Sequence, residues 1–375
     1  MPAYLDNAAT TAMRVEAVEA MLPFLRERFG NPSGSHAMAR EARKALDEAR
    51  DVVAAGLGAE PGEVVFTGGG TEADNLAVAG VHRLRGGTVV CSAVEHHAVL
   101  HACAAVGGRL APVTADGVVD LDRLADVLDA DVTLVSVMLA NNEVGTVQPL
   151  AEIAELVRRH APAAVLHTDA VAAFPWIDVA GAARVADLVA VSAHKFGGAK
   201  GVGALVVRPP VKVAPILHGG GQERDRRSGT HNVAGIVAMA AAMRATVVER
   251  DEVVARAGAL RDRLADGLLA AIADAHETGL RPAKVAGNCH VSFTGVESEA
   301  LLMLLDGAGV YASAGSACAS GAVEPSHVLA AMGVPRDRAL GSLRLTLGRD
   351  TTGADVDLAL AVIPPAVARL REAGR

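Results

Sequence analysis

A lysine followed by two glycines, at the end of an apolar run, is the clearest candidate for chemistry in this sequence. Lys195 lies in residues 192–198, Ser-Ala-His-Lys-Phe-Gly-Gly, directly after residues 187–191, Asp-Leu-Val-Ala-Val, which read as a buried strand. Burial lowers the pKa of an amine and favours the neutral form that makes a Schiff base with a carbonyl compound. Ser192 and His194 are placed to hold an anionic group beside it. A loop lysine that reaches water fits the same pattern, so other motifs must decide.

A run of glycines precedes a helical pattern in the first quarter of the chain. Residues 68–71, Gly-Gly-Gly-Thr, follow the apolar run 63–66 and lead into a helical pattern that continues to Arg85. The backbone N–H groups of Gly68, Gly69 and Gly70 and the Thr71 hydroxyl, at a helix N-terminus, suit an anion such as phosphate. The dinucleotide and P-loop glycine patterns do not match. A tight turn with a helix cap explains the same residues equally well.

Polar residues follow three further apolar runs, where the strands of one sheet would end together. Glu95-His96-His97 places imidazoles at this edge, although surface or helix-capping histidines would look the same. Asn142, in the pair 141–142 before Gly145, is also typical of a turn. Asp169 ends another strand, and a carboxylate there needs a cation, for which a protonated pyridine nitrogen is well suited.

The C-terminal part of the chain offers a thiol and a guanidinium group. Cys318 lies in residues 313–321, Ser-Ala-Gly-Ser-Ala-Cys-Ala-Ser-Gly, whose small side chains favour a mobile loop that presents a thiol over a buried, inert cysteine. Arg344 alternates with apolar residues on a predicted strand, so it points either to solvent or into a cleft as a partner for a carboxylate. The other cysteines are widely spaced, which indicates neither a zinc site nor a disulfide scaffold: Cys91, Cys103 and Cys289.

The composition predicts a globular protein with no nucleic-acid surface and no membrane span. The 375 residues are 51% hydrophobic, enough for a large core, and the net charge of -8 argues against nucleic acid. The longest helical apolar run, residues 233–243, stops at Arg244 and is too short to cross a bilayer. The first residues lack the basic and apolar regions of a signal peptide, so we expect the cytoplasm.

Apolar strands alternate with helical patterns over most of the chain, which predicts an α/β fold with a mainly parallel sheet covered on both faces. Ligand sites in such folds lie beyond the carboxyl ends of the strands. After a polar loop and a long helical region, residues 233–273, the pattern changes to strands at 289–293 and 342–347 with helices at 298–308 and 355–372. These elements predict a second, smaller α+β unit. Residues 4–11 form a polar arm that should pack on another part of the protein.

Taken together, the motifs resemble the cysteine desulfurases of the NifS/IscS type, which are pyridoxal-phosphate enzymes of aminotransferase class V. The resemblance extends over nearly the whole chain, in ten motifs that occur in order. They are residues 4–11, 31–36, 67–77, 95–99, 141–145, 168–170, 192–201, 219–230, 315–320 and 344–352.

This resemblance implies a role for each candidate residue. Lys195 is similar to the Schiff-base lysine and His96 to the imidazole that stacks on the pyridine ring and helps to move protons. Asp169 matches the partner of the pyridine nitrogen, and Cys318 the nucleophile that forms a persulfide. The remaining matches are Gly70, Thr71, Ser192 and His194 for the cofactor and its phosphate, Thr230 for the phosphate of the other subunit in a homodimer, and Asn142 and Arg344 for the substrate carboxylate.

The implied fold is that of fold type I pyridoxal-phosphate transferases, with a large domain at 15–255 and a small domain built from 1–14 and 256–375. The implied reaction converts L-cysteine to L-alanine and leaves the sulfur on Cys318, for an acceptor protein in iron-sulfur cluster assembly or another thiolation pathway. A selenocysteine lyase or a transaminase-like enzyme could share the cofactor residues. A non-catalytic scaffold that binds a sulfur carrier would not need Lys195, Asp169 and His96 together.

One position departs from the family pattern. Where the family usually has Asp-Ala-x-Gln, with the glutamine bonded to the phenolic oxygen of the cofactor, this chain has Asp169-Ala170-Val171-Ala172. The departure affects how the cofactor is tuned and leaves the nucleophile untouched.

Overall fold

A seven-stranded sheet dominates the computed structural model, which describes residues 2–314 and 325–374. In chain order the strands are β1 (Ala3–Tyr4), β2 (Val64–Thr67), β3 (Thr88–Ser92), β4 (Arg109–Ala111), β5 (Val132–Ser136), β6 (Val165–Asp169), β7 (Leu188–Ser192), β8 (Gly203–Val207), β9 (Ala275–Glu277), β10 (Asn288–Phe293), β11 (Val310–Tyr311) and β12 (Ser342–Thr346). The helices are α1 (Val15–Arg26), α2 (Ala37–Gly56), α3 (Gly70–Arg85), α4 (His97–Ala105), α5 (Leu121–Val127), α6 (Leu150–His160), α7 (Val179–Ala182), α8 (Val233–Ala271), α9 (Ser298–Gly307), α10 (His327–Ala331), α11 (Arg336–Leu340) and α12 (Gly353–Ala373).

The larger sheet has the strand order β2-β8-β7-β6-β5-β3-β4. Strand β8 is antiparallel to both of its neighbours, whereas the pairs from β7 through β4 are parallel. This confirms the predicted mainly parallel sheet. The strands read as continuous apolar runs because helices cover both faces, so that neither face of a strand meets water.

Neighbouring residues of β7 show how the two faces are buried. Val189 and Val191 belong to the core on one face, together with Phe174 and Met239. Leu188 and Ala190 belong to the core on the opposite face, which also contains the following residues: Leu76, Ala77 and Leu205. The alternation follows from the two-residue period of a strand.

A second group of elements forms a separate core. Strands β12, β10 and β9 make an antiparallel sheet, and β1 pairs with β11 in parallel. Their core includes Leu5 from the N-terminal arm and Leu268 from the last part of α8. The first part of α8 packs in the core of the larger sheet, through residues such as Met243. The predicted domain boundary at residue 255 falls inside this continuous helix and stays a prediction.

Most of the elements expected from periodicity are present with small shifts at their ends. The sequence pattern predicts a helix over residues 150–160 and a strand over residues 133–138. Helix α6 has the predicted bounds, whereas β5 ends at Ser136, two residues earlier than predicted. The edge strand β4 and the short helix α5 were not predicted, because three and seven residues carry too little periodicity to be read from sequence. Among the described residues, no helix has both the length and the apolar character needed to cross a membrane.

Candidate active site

Lys195 ends a single turn of helix, residues Ala193–Lys195, directly after β7, as the sequence predicts. The chain turns away at Gly197, whose φ of 86° lies in the left-handed region that glycine adopts without strain. A Cβ atom there would lie 2.5 Å from Cγ of Arg14, so a larger residue would not fit. The turn therefore fixes Lys195 at the carboxyl edge of the sheet.

The Lys195 amine is held by the N-terminal arm. Its Nζ atom donates to the backbone carbonyl of Ala9 at 3.0 Å and also to the carbonyl of Ala8. Burial lowers the pKa of Lys195 to about 8, and the positive charge of Arg344 acts in the same direction, while the charges of Asp169 and Asp6 oppose it. The amine is thus much closer to its neutral form at physiological pH than an exposed lysine.

Gly68, Gly69, Gly70 and Thr71 form an open cradle at the start of α3, in a depression of about 710 Å³. Ser192 and His194 line the same depression, so the structure brings together the residues predicted to hold a phosphate. Gly69 has a φ of 148°, and a Cβ at Gly70 would lie 2.8 Å from Val171 Cγ2. Glycine is required at both positions to bring the backbone this close to Ser192 and Val171.

A cavity of about 570 Å³ adjoins this cradle, because Thr10 and Lys200 line both. Lys195, Asn142 and Ala172 also line the cavity. The candidate amine therefore lies beside the candidate anion site, with room for a ligand that reaches both.

Asp169 ends β6 and is only 4% exposed. Its Oδ1 atom accepts a hydrogen bond from the backbone N–H of Val171 at 2.8 Å. Burial raises the pKa of Asp169 to about 6, against the lowering effects of that hydrogen bond and of Lys195. A cationic partner would stabilise the ionised form of a carboxyl group buried in this way, and the sequence indicated such a partner.

Two further carboxyl groups are buried nearby and were not predicted. Asp74 on α3 lies 3.6 Å from Nε2 of His167, and His167 Nδ1 lies 2.8 Å from the Ser136 hydroxyl. Glu95 accepts a hydrogen bond from the backbone N–H of Met138 at 2.5 Å. Burial raises the pKa of both Asp74 and Glu95, and the charge of Asp169 adds to each shift, so both favour the protonated form.

His96 immediately follows Glu95 and caps α4, with Nδ1 accepting a hydrogen bond from the backbone N–H of Ala98 at 3.1 Å. Desolvation lowers the pKa of His96, and the Lys195 charge adds to the shift. The ring remains solvent-accessible in the single chain. Because Nδ1 accepts this hydrogen bond, the proton of the neutral imidazole lies on Nε2, from which the ring can donate it.

Arg344 points into the protein and not to solvent, which resolves the alternative that the sequence left open. It is 6% exposed, and its Nη2 atom donates to Asp6 Oδ1 at 2.8 Å. Its Nη1 atom donates to the backbone carbonyl of Asn142 at 3.2 Å. Arg344 and Asn142, which were predicted to bind the same carboxylate, are therefore in direct contact.

Two predicted site residues are not brought to this cluster. Thr230 is exposed and lines neither cavity of the single chain. Cys318 lies outside the described residues, so its predicted role stays a prediction. The described residues nearest to it in sequence are Ala314 and Pro325.

Sequence reasoning missed two contacts that support the site. Asp6 was part of the arm expected to pack elsewhere, but nothing in its spacing indicated Arg344 as its partner. Glu72 connects the cradle to the loop before Thr230: Oε2 accepts a hydrogen bond from Gly68 N at 2.7 Å, and Oε1 accepts one from Arg227 Nε at 2.7 Å. The acidic residue after the glycine run was the only available signal for this second contact.

Comparison with known proteins agrees with this geometry. The family model for "Aminotransferase class-V" matches residues 3–359. The chain is 46% identical to "Cysteine desulfurase IscS" of Methanosarcina thermophila, over 98% of this chain and 92% of that protein. It is 47% identical to "IscS-like cysteine desulfurase" of Mycobacterium tuberculosis, over 99% and 98% of the two chains.

A solved structure of a "NifS-like protein" superposes with a TM-score of 0.92 at 37% identity, covering 98% of this chain and 100% of that one. This match confirms the predicted fold class, a fold type I transferase with a mainly parallel sheet and a smaller α+β part.

Proposed function

The chain belongs to the aminotransferase class-V family, and from this premise we propose that it is a pyridoxal-phosphate-dependent cysteine desulfurase. The observation that carries the proposal is the position of Lys195. The partly neutral amine of Lys195 adjoins an anion cradle built from Gly70 and Thr71. The buried Asp169 carboxyl group is close enough to act on this amine, because its charge opposes the lowering of the Lys195 pKa. These three features together suit an enzyme that binds pyridoxal phosphate, and the relatives named cysteine desulfurase indicate the reaction.

The residues present fit pyridoxal phosphate on three counts. The cradle at the start of α3 has the backbone N–H groups and small residues that a phosphate needs. Asp169 is a buried acid that a protonated pyridine nitrogen would stabilise as the anion. Lys195 supplies the amine. When bound, the cofactor supplies an aldehyde for amines and a ring that withdraws electrons from the substrate Cα.

The chain's own residues bind and orient the substrate. Arg344 and Asn142 take the α-carboxylate of L-cysteine, with the arginine as the charged partner. Ser192, His194 and Thr71 would hold the phosphate of the cofactor. Lys195, which lines the adjoining cavity with Asn142, would be the amine next to the bound substrate.

Proton movement is divided between Lys195 and His96. A lysine with a pKa of about 8 has an appreciable neutral fraction at neutral pH. The neutral Lys195 amine would be the group that takes the proton from the substrate Cα. His96, whose pKa is lowered, is neutral with its proton on Nε2, so it can donate that proton and later take one back. Burial raises the pKa values of Asp74 and Glu95, so both carboxyl groups favour the protonated, neutral form. Asp169 is then the one of these three carboxyl groups that carries a negative charge.

The sulfur atom passes to Cys318. The Cys318 thiolate attacks the sulfur of the bound L-cysteine, the Cβ–S bond breaks with its electron pair left on carbon, and protonation there completes L-alanine. The sum is L-cysteine plus Cys318 thiol giving L-alanine plus Cys318 persulfide. A sulfur-acceptor protein or a thiol then collects the outer sulfur, and iron-sulfur cluster assembly is the pathway that the relatives named IscS suggest.

We also propose that two copies of the chain form a homodimer in the cytoplasm. Thr230 is exposed on its own protomer, which is compatible with a contact to the phosphate in the partner's site. Arg227, three residues before it, is fixed by Glu72.

The proposal is tested with the purified protein, pyridoxal phosphate, L-cysteine and a reducing thiol. We expect L-alanine and sulfide in equal amounts. Formation of a keto acid instead would indicate a transaminase. Turnover of L-selenocysteine with negligible turnover of L-cysteine would indicate a selenocysteine lyase. Absence of a visible cofactor band together with absence of alanine would contradict the proposal as a whole.

A further inference from the structure

Asp6 and Arg344 are separated by 338 residues in sequence and form an ion pair of 2.8 Å at the candidate carboxylate site. The pair is well shielded, because the side chain of Arg344 is 7% exposed and that of Asp6 is 22% exposed. The second terminal nitrogen of Arg344 already donates to the carbonyl of Asn142. Both terminal nitrogens of the guanidinium are therefore engaged before any substrate is present.

The backbone on both sides of Asp6 is fixed, which holds this residue beside the strand that carries Arg344. The carbonyl of Leu5 accepts a hydrogen bond from Thr346 N at 2.6 Å, and the N–H of Asn7 donates to the carbonyl of Thr346 at 3.2 Å. The N–H of Ala8 donates to the Thr346 hydroxyl at 2.9 Å. These bonds place Asp6 in register beside β12, two residues from Arg344.

The same arm also reaches the reactive amine. Residues 8 and 9 provide the two carbonyl groups that accept hydrogen bonds from Lys195. The charges of Asp6 and Arg344 act in opposite directions on the Lys195 amine. The arm thus connects the amine to the guanidinium, with Asp6 as its only charged group between Tyr4 and Thr11.

We propose that Asp6 is a specificity residue of the carboxylate site, which neutralises Arg344 in the ligand-free protein and makes an incoming substrate carboxylate compete for the guanidinium. The inference rests on the proposed function, in which Arg344 binds the α-carboxylate of an amino acid. A carboxylate that approaches the pair meets no net charge, whereas a free arginine would attract it strongly. Asp6 therefore weakens substrate and product binding and favours product release.

The test compares L-alanine with ethylamine, which has the same structure without the carboxylate. Neither ligand contains sulfur, so the holoenzyme binds them without desulfuration. Their dissociation constants are measured from the change in the visible cofactor spectrum. The variant Asp6→Asn keeps an oxygen acceptor for Arg344 and removes the charge. We expect it to bind L-alanine about fivefold more tightly, because one charge-assisted contact no longer competes, and to bind ethylamine with unchanged affinity.

Two matched variants separate charge from shape and position. Asp6→Glu keeps the charge and should bind L-alanine no more tightly than the natural protein. Asp357→Asn removes an exposed acid of α12 that pairs with Arg263 and lines neither cavity, and should change neither dissociation constant.

Three results would overturn the inference. One is an Asp6→Asn protein that binds L-alanine with unchanged or lower affinity. Another is equal tightening for L-alanine and ethylamine, which would locate the effect at Lys195 instead of the carboxylate site. A third is tightening by Asp6→Glu as large as that by Asp6→Asn. The proposed function is tested separately, by the cofactor band and the products that the natural protein forms from L-cysteine, and neither measurement depends on Asp6→Asn.

Discussion

The Asp169 carboxylate accepts a hydrogen bond from the backbone N–H of Val171 at 2.8 Å while it is only 4% exposed. One neutral donor does not offset the burial of a negative charge, and the pKa of Asp169 is accordingly raised to about 6. The cofactor-free protein therefore holds an acid whose ionisation opposes folding.

This relationship predicts that Asp169→Asn stabilises the cofactor-free protein at pH 8. A raised folded-state pKa means that the folded state loses stability as the pH rises from about 4 through about 6, and the full cost is present above that range. The amide keeps the acceptor for Val171 and carries no charge. We expect a gain of ~1–3 kcal/mol in the free energy of unfolding at pH 8, falling by more than half at pH 4.5.

Urea unfolding of the two proteins at both pH values measures the gain. Asp251→Asn, at an exposed position of α8, is the control for removing a carboxylate from the chain. A destabilised Asp169→Asn protein at pH 8 would contradict the argument. The same variant should bind pyridoxal phosphate more weakly, because the charge that holds the pyridine nitrogen is gone.

The lowered pKa of Lys195 predicts how fast the cofactor-free protein captures pyridoxal phosphate. Only the neutral amine reacts with an aldehyde, so the rate should rise with pH through a midpoint at about 8, well below the 10.5 of an ordinary lysine. Stopped-flow growth of the visible band measures it. Lys195→Ala should give no borohydride-reducible linkage, and a linkage that persists in this variant would rule out Lys195 as the attachment site.

Cys318→Ser should separate cofactor chemistry from sulfur transfer. The hydroxyl is a poor nucleophile toward sulfur at neutral pH, so the variant should keep the visible cofactor band and its response to L-cysteine but lose sulfide and alanine production by at least about 100-fold. Both products are measured in one assay. Production at the natural rate would transfer the role to another thiol, although Cys91, Cys103 and Cys289 are all buried.

Ala172 lines the same cavity as Lys195 and carries no group that can donate to the phenolic oxygen of the cofactor. Without that donor the oxygen is more basic and holds the proton of the Lys195 linkage more tightly, which raises the pKa of the linkage. Ala172→Gln should therefore lower this pKa, by up to about one unit if one charge-assisted hydrogen bond is gained. A spectroscopic pH titration that shows identical curves for both proteins would refute this role for position 172.

Much of the site could be predicted because its parts are local. The glycine run at 68–70 precedes a helix that begins at Gly70, and the apolar run before Lys195 is a strand buried on both faces. Parallel strands bring their carboxyl ends to one edge, so the ends of β6 and β7 place Asp169 and Lys195 together without further information.

The contacts that tune these residues could not be predicted in the same way. The ion pair of Arg344 with Asp6 and the hydrogen bonds of Lys195 to the arm connect residues 338 and 186 or more positions apart. No period or spacing relates such positions, and a polar arm of eight residues is compatible with many docking sites. For this reason the sequence alone did not decide whether the Arg344 side chain points to solvent or into a cleft.

The sequence by itself determined the alternation of the longer strands and helices, the small residues of the anion cradle and the chemical types at the site, because each depends on residues close together in the chain. Only the tertiary structure decided which charges face one another: it buried Asp74, Glu95 and Asp169 beside one site and placed Asp6 against Arg344. Electrostatic effects depend on distance and burial in space, and these are fixed only when distant segments pack.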